Sequence, residues 1–343
     1  YIFMVGGYTS AAVSTVYSTP LQTNAFATNT TSNITAGNLI DVINNGQSLA
    51  TVDYSGRLGS ALGVTINNTS TTPTANITTS LTGLTPGSTG TYQTLSNLPV
   101  ARYAHAGAAY NGYLFITGGG TAASSDALST VFSAKIAADG TIGSWNSLTN
   151  LPVVNMEHAS VIHNGYIYVL GGYDGISRVS TVYSAKINSD GTIGSWNTLN
   201  TLPAIVYWHS ATAYNNYVFI AGGSNGGGSV ENDVFSAKIN SDGTLGTWQT
   251  LTVLPVALYT LGLESYNGYI FATGGYNAGA KSTVYSAPIR SDGTIGSWAT
   301  LNTLPALLNG HTMVVANGYL YVAGGDTAST VYSSKINADG TVG

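Results

Sequence analysis

Short runs of apolar and aromatic residues, separated by turn residues, make up most of the chain. In one stretch of about 50 residues the runs cover 209–214, 217–221, 232–239 and 248–254, and they are rich in β-branched and aromatic side chains. Asn-Asn, Gly-Gly and Asp-Gly stand between them, and these residues tolerate the positive φ angles of tight turns. The runs lack helical periodicity. The pattern therefore predicts a four-stranded antiparallel meander.

The same unit recurs at a nearly constant spacing. A Gly-Gly pair closes the second run of each unit, at residues 6–7, 118–119, 171–172, 222–223, 274–275 and 324–325. From the second pair onward the steps are 53, 51, 52 and 50 residues, which suits the blade of a β-propeller. The first step is 112 residues, or about two periods, so additional chain lies within the first unit.

Aromatic residues at two further positions make each unit resemble the kelch repeat. The third run carries Tyr17, Phe132, Tyr183, Phe235, Tyr285 or Tyr332, and the fourth opens on Trp145, Trp196, Trp248 or Trp298, with Tyr92 in that place in the first unit. The resemblance covers about 270 residues and implies an all-β fold, a β-propeller of four-stranded antiparallel blades with six blades. The chain departs from the family in a longer third-to-fourth connection, such as Ser-Asp-Gly-Thr-Ile-Gly-Ser at 189–195.

Residues 22–90 do not follow the repeat, and two interpretations stay open. Residues 38–59 read as two strands joined by Asn-Asn-Gly and resemble the short β repeats of phage tail fibres and bacterial surface fibres, which favours a β-rich insertion. A degenerate blade is the alternative and would make seven blades. The predicted organisation is a partial first propeller repeat at 1–21, the insertion or degenerate blade at 22–90, and kelch-like repeats at 91–343.

The first and last units each read as lacking one strand of the four. The sequence starts at a second strand and stops before a fourth strand would begin. Because proteins normally cover an unpaired strand edge, we expect the missing strands to come from flanking chain or from a neighbouring subunit.

Composition narrows the function classes. Only 7% of residues are charged and the net charge is -5, so nine Lys and Arg residues cannot form a phosphate-binding stripe and nucleic-acid binding is not expected. The sequence contains no run of 18 apolar residues, so no membrane-spanning helix is predicted. The absence of cysteine excludes disulfides, thiol chemistry and the copper site of galactose-oxidase-like propellers.

The same composition predicts an extracellular or cell-surface location on a microbe, because the polar positions are rich in Thr, Asn and Gly and poor in Lys. N-glycosylation motifs point the same way, although frequent Asn and Thr also account for them by chance. The candidate acceptors are Asn29, Asn33, Asn67, Asn68 and Asn76.

Few residues suit catalysis, and we predict no enzyme, no cofactor and no metal. Asp190-Gly-Thr resembles the Asp box of sialidase-type propellers, but it recurs in every unit as a hairpin turn would, and four arginines make an arginine triad improbable. Histidines recur at the start of the first strand, where they could surround the channel and hold a metal. A residue repeated in this way is expected instead to bond the backbone of its own blade. The histidines are His105, His158, His209 and His311, with Leu261 in the remaining unit.

Differences among the copies direct the search for a binding site to one face. The first-to-second and third-to-fourth connections are nearly constant, whereas the second-to-third and fourth-to-first connections vary and share the opposite face. Variable loops on a rigid scaffold suit recognition, and aromatic side chains beside a few polar groups suit a glycan or protein ligand. Sequence drift, with aromatics packed between blades, is the alternative. The predicted ligand-binding residues are Arg102, Tyr103, Glu157, Tyr173, Asp174, Arg178, Tyr207, Trp208, Tyr259, Tyr276 and Asp326.

These patterns predict a non-enzymatic extracellular binding or adhesion module for a glycan or protein ligand. A structural subunit of an extracellular filament or surface fibre, completed by strand exchange between neighbours, is the second interpretation. A secreted carbohydrate-active enzyme is a distant third, because the carboxylates are mostly turn aspartates rather than a pair that faces a pocket.

Overall fold

In a computed structural model of the chain, the structure describes residues 93–121, 126–325 and 330–343, together with the backbone of five strands that precede them. The chain divides into two compact units, one formed by Tyr1–Pro20 with Thr91–Gly343 and the other by Leu21–Gly90. The predicted candidate sequons and Asp326 lie outside the described residues. The five early strands are β1 (Ile2–Val5), β2 (Val16–Thr19), β3 (Asn38–Asn44), β4 (Gln47–Asp53) and β5 (Leu58–Ser60).

Four antiparallel sheets of four consecutive strands and one of three follow β6 (Gln93–Thr94), and we call them blades A to E. Blade A comprises β7 (Ala106–Tyr110), β8 (Tyr113–Thr117), β9 (Val131–Lys135) and β10 (Asn146–Ser147), and blade B comprises β11 (Ala159–His163), β12 (Tyr166–Tyr173), β13 (Arg178–Lys186) and β14 (Asn197–Thr198). Blade C comprises β15 (Ser210–Tyr214), β16 (Tyr217–Ala221), β17 (Val234–Lys238) and β18 (Gln249–Thr250). Blade D comprises β19 (Gly262–Tyr266), β20 (Tyr269–Thr273), β21 (Val284–Pro288) and β22 (Ala299–Thr300), and blade E comprises β23 (Thr312–Ala316), β24 (Tyr319–Ala323) and β25 (Val331–Lys335).

These sheets form a β-propeller, in which the first strands of successive blades contact one another as innermost strands. The predicted fold class is confirmed, but the described residues show five blades rather than the predicted six. The remaining sheet of this unit, β1-β2-β6, contains no innermost strand among the described residues. Counting Gly-Gly pairs overestimates the blades because each pair marks the end of a second strand and says nothing about the first.

The second compact unit contains the antiparallel sheet β3-β4-β5. Its limits, Leu21 and Gly90, lie close to the predicted boundaries at residues 22 and 90. The division into 1–21, 22–90 and 91–343 stays a prediction, as does the choice between an insertion and a degenerate blade.

The second strand of each blade is a continuous apolar run because both of its faces are covered. In blade B, Tyr168 and Leu170 pack with Val218 of blade C, whereas the alternating residues Ile167 and Val169 pack with residues of blade A. All four of these β12 residues are fully buried. A strand with one solvated face would alternate apolar and polar residues, so the run itself reports burial between two blades.

The nearly constant third-to-fourth connection is a tight hairpin that also joins blades. In blade B the Asp190 carboxylate accepts bonds from the Thr192 N–H at 3.0 Å and from its hydroxyl at 2.7 Å, as the hairpin interpretation predicts. Gly191 has a φ of 78°, and a Cβ there would lie 2.3 Å from the Tyr113 ring of blade A. The uniform sequence therefore has a structural cause, since glycine alone admits the neighbouring ring.

Two of the recurring histidines bond the preceding blade through their side chains, which corrects the expectation that they bond the backbone of their own blades. His158 of blade B lies 2.9 Å from the Thr117 hydroxyl of blade A, and His311 of blade E lies 2.9 Å from the Thr273 hydroxyl of blade D. Both imidazoles are buried. These residues therefore join neighbouring blades. Among the described residues, no group of three or more His, Cys, Asp or Glu side chains is arranged to hold a metal.

Candidate functional site: the loop face

The described residues of the second-to-third and fourth-to-first connections lie at the same end of the blades, and we call the surface that they form the loop face. Short antiparallel bridges join the two connections within a blade. Met156 pairs with Tyr173 in blade B, and Tyr259 pairs with Tyr276 in blade D. The equivalent bridge in blade A joins Tyr103 to Gly120. Each bridge holds a variable side chain on hydrogen-bonded backbone, so the loop face has a defined conformation at these positions.

A series of backbone hydrogen bonds links the blades at this face, just before each innermost strand. The N–H of Glu157 donates to the carbonyl oxygen of Ala104 at 2.9 Å, and the N–H of Trp208 donates to that of Glu157 at 3.0 Å. Thr260 and Gly310 continue the series at 2.8 and 3.0 Å. We call these five residues the belt, and all have φ angles between 50° and 62°.

Four of the five belt residues carry a side chain despite their left-handed backbone, which costs free energy outside glycine. The same conformation nevertheless recurs in all five blades, because interblade hydrogen bonds constrain it, on both sides for Glu157, Trp208 and Thr260. The backbone of the belt is thus constant while its side chains differ: methyl, carboxylate, indole, hydroxyl and hydrogen. Such an arrangement presents different chemistry at equivalent places around the face.

Four aromatic side chains from blades C and D form one continuous row. Tyr207 and Trp208 have ring centroids 4.7 Å apart, and Trp208 stacks on Tyr259 at 5.3 Å. Tyr259 then contacts Tyr276, again at 5.3 Å. We call these residues the aromatic row. All four were predicted from the sequence as ligand-binding residues, and the structure brings successive rings into contact. Tyr207 is buried, so the partly exposed members of the row are Trp208, Tyr259 and Tyr276.

Arg178 extends the row to blade B. Its guanidinium lies 4.7 Å from the Tyr207 ring centroid and 5.2 Å from that of Tyr173. Tyr173 and Arg178 pair across the end of the longest hairpin among the five blades. The Asp174 carboxylate accepts the N–H groups of Ile176 and Ser177 at 2.9 and 2.7 Å and so shapes the hairpin tip.

Glu157 lies beside these groups and is partly buried. Burial raises the pKa of Glu157 to about 7, while the positive charge of Arg178 and a hydrogen bond from the Trp208 side chain oppose the increase. Burial also raises the pKa of the nearby Tyr103, helped by the negative charges of Glu157 and Asp126. The carboxyl group therefore changes its charge near neutral pH within a largely aromatic setting.

Arg102 is a correction to the predicted site. It is fully buried, donates to the Gly118 carbonyl at 2.6 Å and to the Thr130 hydroxyl at 3.1 Å, and lies 4.9 Å above the Phe132 ring. Burial lowers the pKa of Arg102 to about 10. A side chain without exposed surface cannot contact a ligand, so Arg102 holds blade A together instead.

Exposed apolar side chains on the same face were missed by the sequence analysis. Each blade connection presents one after its Leu-Pro step, and Ile176 at the tip of the blade B hairpin is 87% exposed. These side chains could have been found from the sequence, because an apolar residue follows the proline in every copy. These side chains, which we call the apolar rim, are Val100, Val153, Ile205, Val256 and Leu307.

Comparison with known proteins adds sequence evidence to this geometry. The Kelch motif family matches residues 156–184. Kelch-like protein 38 of Mus musculus is 27% identical over 125 residues, which are 35% of this chain and 20% of that protein. Kelch-like protein 15 of Mus musculus is 28% identical over 140 residues, 36% of this chain and 23% of that protein. The chain thus matches about a fifth of the length of these curated relatives.

The solved structure of YjhT has the same fold, with a TM-score of 0.60 at 16% identity, covering 74% of this chain and 87% of that one. The sheets and this likeness define the class, a β-propeller. Within that class, the matched motif and the similarity to Kelch-like proteins support a kelch-repeat β-propeller. The described part of the chain contains no helix that is long and apolar enough to cross a membrane.

Proposed function

We propose that the chain is a non-enzymatic binding module whose loop face binds a protein ligand. The observation that carries this proposal is the aromatic row, which runs unbroken across blades C and D and is extended by Arg178. Tyr, Trp and Arg dominate the energetic centres of protein interfaces because they offer large contact area and a polar group at low entropy cost. Kelch-repeat propellers as a class support the same role.

The surroundings of the row also suit an interface. The apolar rim adds exposed hydrophobic surface, with Leu307 65% exposed, around a centre of aromatic and charged groups. Burying such surface against a partner supplies the hydrophobic share of the binding free energy. By contrast, the Asp190 carboxylate and its equivalents are bonded inside their own turns, so we propose no enzymatic role for them.

The proposal is tested with a random peptide display library and a glycan array, both probed with the purified chain. We expect peptides to be enriched and their binding to weaken at least tenfold in Trp208→Ala and Tyr259→Ala. Tyr110→Ala is the matched control, because Tyr110 is an exposed aromatic residue in a first-to-second hairpin on the opposite face. Absence of enrichment, or equal binding by Trp208→Ala, would contradict the proposal, and array binding alone would identify a glycan ligand instead.

We further propose that this binding serves adhesion at a microbial cell surface or outside the cell, for which the Lys-poor, Thr- and Asn-rich composition is the support. Detecting the native protein by antibody labelling of intact cells tests the location. Labelling only after the cells are opened would contradict it.

A filament subunit is the second candidate, supported by β25. Its residues Val331 and Tyr332 are only partly buried, whereas the equivalent Val234 and Phe235 of blade C, whose third strand pairs with a fourth, are buried. An added strand from a neighbouring copy would cover this edge. Sedimentation over a hundredfold concentration range tests the idea. Growth of the particle with concentration would support it, and a constant monomer mass would contradict it.

A further inference from the structure

Charges are unevenly divided between the two faces of the propeller. Acidic residues outnumber accessible basic ones in the connections of the loop face, where five acids accompany two bases that retain exposed surface. The acids are Asp126, Glu157, Asp174, Glu231 and Asp233, and the bases are Arg178 and Lys281.

The opposite face is balanced, because each third-to-fourth hairpin has one acid and one base at or next to it. The acids are Asp139, Asp190, Asp242, Asp292 and Asp339, and the bases are Lys135, Lys186, Lys238, Arg290 and Lys335. Even when the buried Arg102 is counted, five acids against three bases leave the loop face with an excess of negative charge, and a field of one sign favours a partner of the opposite sign.

The centre of the loop face already holds one cation. The Arg178 guanidinium lies over two tyrosine rings and is attracted by Glu157. The two rings thus already bind a planar cation, and Glu157 is near enough to attract it. Beyond Tyr207 the row continues with Trp208, whose indole is the ring type that binds cations most strongly.

We propose that the ligand of the loop face is a basic peptide segment, whose lysine or arginine side chain contacts the Glu157 carboxylate and the Trp208 ring. The proposal rests on the proposed function and deepens it by assigning the charge of the partner. The aliphatic stem of a lysine or arginine also suits aromatic surface, because such side chains bury their methylenes while the charged end stays polar.

An acidic ligand fits these observations less well. At the aromatic row Arg178 would have to attract it, since Lys281 is not part of the row, but the charge of Arg178 is already shared with two rings and acts on Glu157. Any acidic group that approached Arg178 would also approach Glu157. The two alternatives therefore predict opposite effects when Arg178 loses its charge.

The experiment measures affinities of single synthetic heptapeptides taken from the enriched display pool, each compared with versions in which Lys and Arg are replaced by Gln or by Glu. We expect the pool to be enriched in Lys and Arg and the Gln versions to bind about tenfold more weakly. Glu157→Gln should weaken binding of the basic peptide about tenfold, whereas Arg178→Gln should raise its affinity, because the substitution removes a positive charge that acts on Glu157 and opposes a cationic ligand. Asp242→Asn is the matched control, because it removes one negative charge from the opposite face and keeps an oxygen that can cap the turn.

The outcomes separate this inference from the proposed function. Neutral or acidic peptides that bind in a Trp208-dependent way would overturn the basic ligand and leave the binding module standing. Loss of binding in Arg178→Gln would overturn it as well. Since a variant can fail to fold, the affinity of the unmodified chain is also measured from 50 to 500 mM salt, where a basic ligand must weaken steadily and a salt-independent affinity would overturn the inference.

Discussion

The backbone N–H of Trp208 donates a 3.0 Å hydrogen bond to the carbonyl oxygen of Glu157, and both residues adopt a left-handed backbone conformation. This bond joins blade C to blade B at the point where the two side chains meet. The most distinctive pair of the loop face is therefore positioned by main-chain bonds that recur between every pair of neighbouring blades. Side chains at such positions can differ without disturbing the scaffold.

Replacement of Gly191 tests the contact between blades at the constant hairpin. In Gly191→Ala, the new methyl would lie 2.3 Å from the Tyr113 ring, in addition to the cost of a φ of 78°. We expect a loss of about 2–4 kcal/mol in the free energy of unfolding, measured by urea denaturation.

Gly112→Ala provides the matched control for that experiment. Gly112 has nearly the same φ, 77°, but no atom would lie within 4 Å of a new Cβ. Gly112→Ala should therefore lower the free energy of unfolding by only about 1 kcal/mol, which is the cost of placing alanine at a positive φ angle. Equal losses in the two variants would show that the neighbouring ring does not constrain the hairpin.

Tryptophan at the start of the fourth strand should stabilise the propeller in proportion to its bond to the preceding blade. Trp196 Nε1 donates to the Thr149 carbonyl at 3.0 Å, whereas Trp248 Nε1 reaches the Asn200 carbonyl at 3.5 Å. Trp196→Phe should therefore cost about 1 kcal/mol in the free energy of unfolding, and Trp248→Phe clearly less. A larger loss in Trp248→Phe would contradict this ranking.

Arg102→Met should lower stability without weakening ligand binding. The substitution removes the bonds to the Gly118 carbonyl and the Thr130 hydroxyl from a fully buried position. We expect a loss of about 2–4 kcal/mol in the free energy of unfolding, because the carbonyl and the hydroxyl lose buried partners. Peptide affinity, measured below the unfolding transition, should stay unchanged. A tenfold loss of peptide affinity would show that Arg102 contributes to ligand binding after all.

Much of the fold was predictable because every blade packs against its neighbours through the same residue types at equivalent positions. The Gly-Gly pairs illustrate this, since a Cβ on Gly171 would lie 2.5 Å from the Val206 carbonyl oxygen of the next blade. Only glycine fits there, so the requirement is visible in the sequence at each repeat. The Gly-Gly pairs gave the wrong blade number because they mark second strands, whereas the five Leu-Pro steps, each of which precedes an innermost strand, match the five blades.

Some residues of the site could be predicted from differences among the copies, and other features of the site could not be predicted. Variation selected the connections that carry Tyr207, Trp208 and Tyr259, but their contact depends on how blades C and D are placed. The left-handed conformation of Glu157 gives no signal in the sequence, because hydrogen bonds to other blades impose it. Arg102 was misassigned because irregular segments lack the alternation that distinguishes inward from outward side chains.

Acid should destabilise the propeller through its buried histidines. Burial, together with the charges of His105 and His209, lowers the pKa of His158 to about 3. The pKa values of His209 and His311 fall to about 4, chiefly through burial. Between these values and the ordinary pKa of 6.5, the unfolded chain binds more protons than the folded one, so stability decreases as the pH falls below 6.5.

For His158 alone, the loss at pH 4 is about 3 kcal/mol relative to pH 7. His158→Gln keeps a polar group near Thr117 but cannot titrate, so its free energy of unfolding should depend less steeply on pH between 6.5 and 4. Urea denaturation at half-unit pH intervals measures both slopes. Identical slopes in the variant and the unmodified chain would contradict the assignment.

Binding of a basic peptide should depend on pH through Glu157. Burial raises the pKa of this carboxyl to about 7, opposed by Arg178 and by the hydrogen bond from Trp208, and Tyr103 is the other titratable group that faces it. Below pH 7 the group is mostly protonated and neutral, so it attracts a cation less, and affinity should fall about tenfold from pH 8 to pH 6. Isothermal titration with a lysine-containing peptide measures the profile. Glu157→Gln should flatten it at the lower affinity, whereas Asp242→Asn should keep its shape, and a flat profile in the unmodified chain would show that this carboxyl does not contact the ligand.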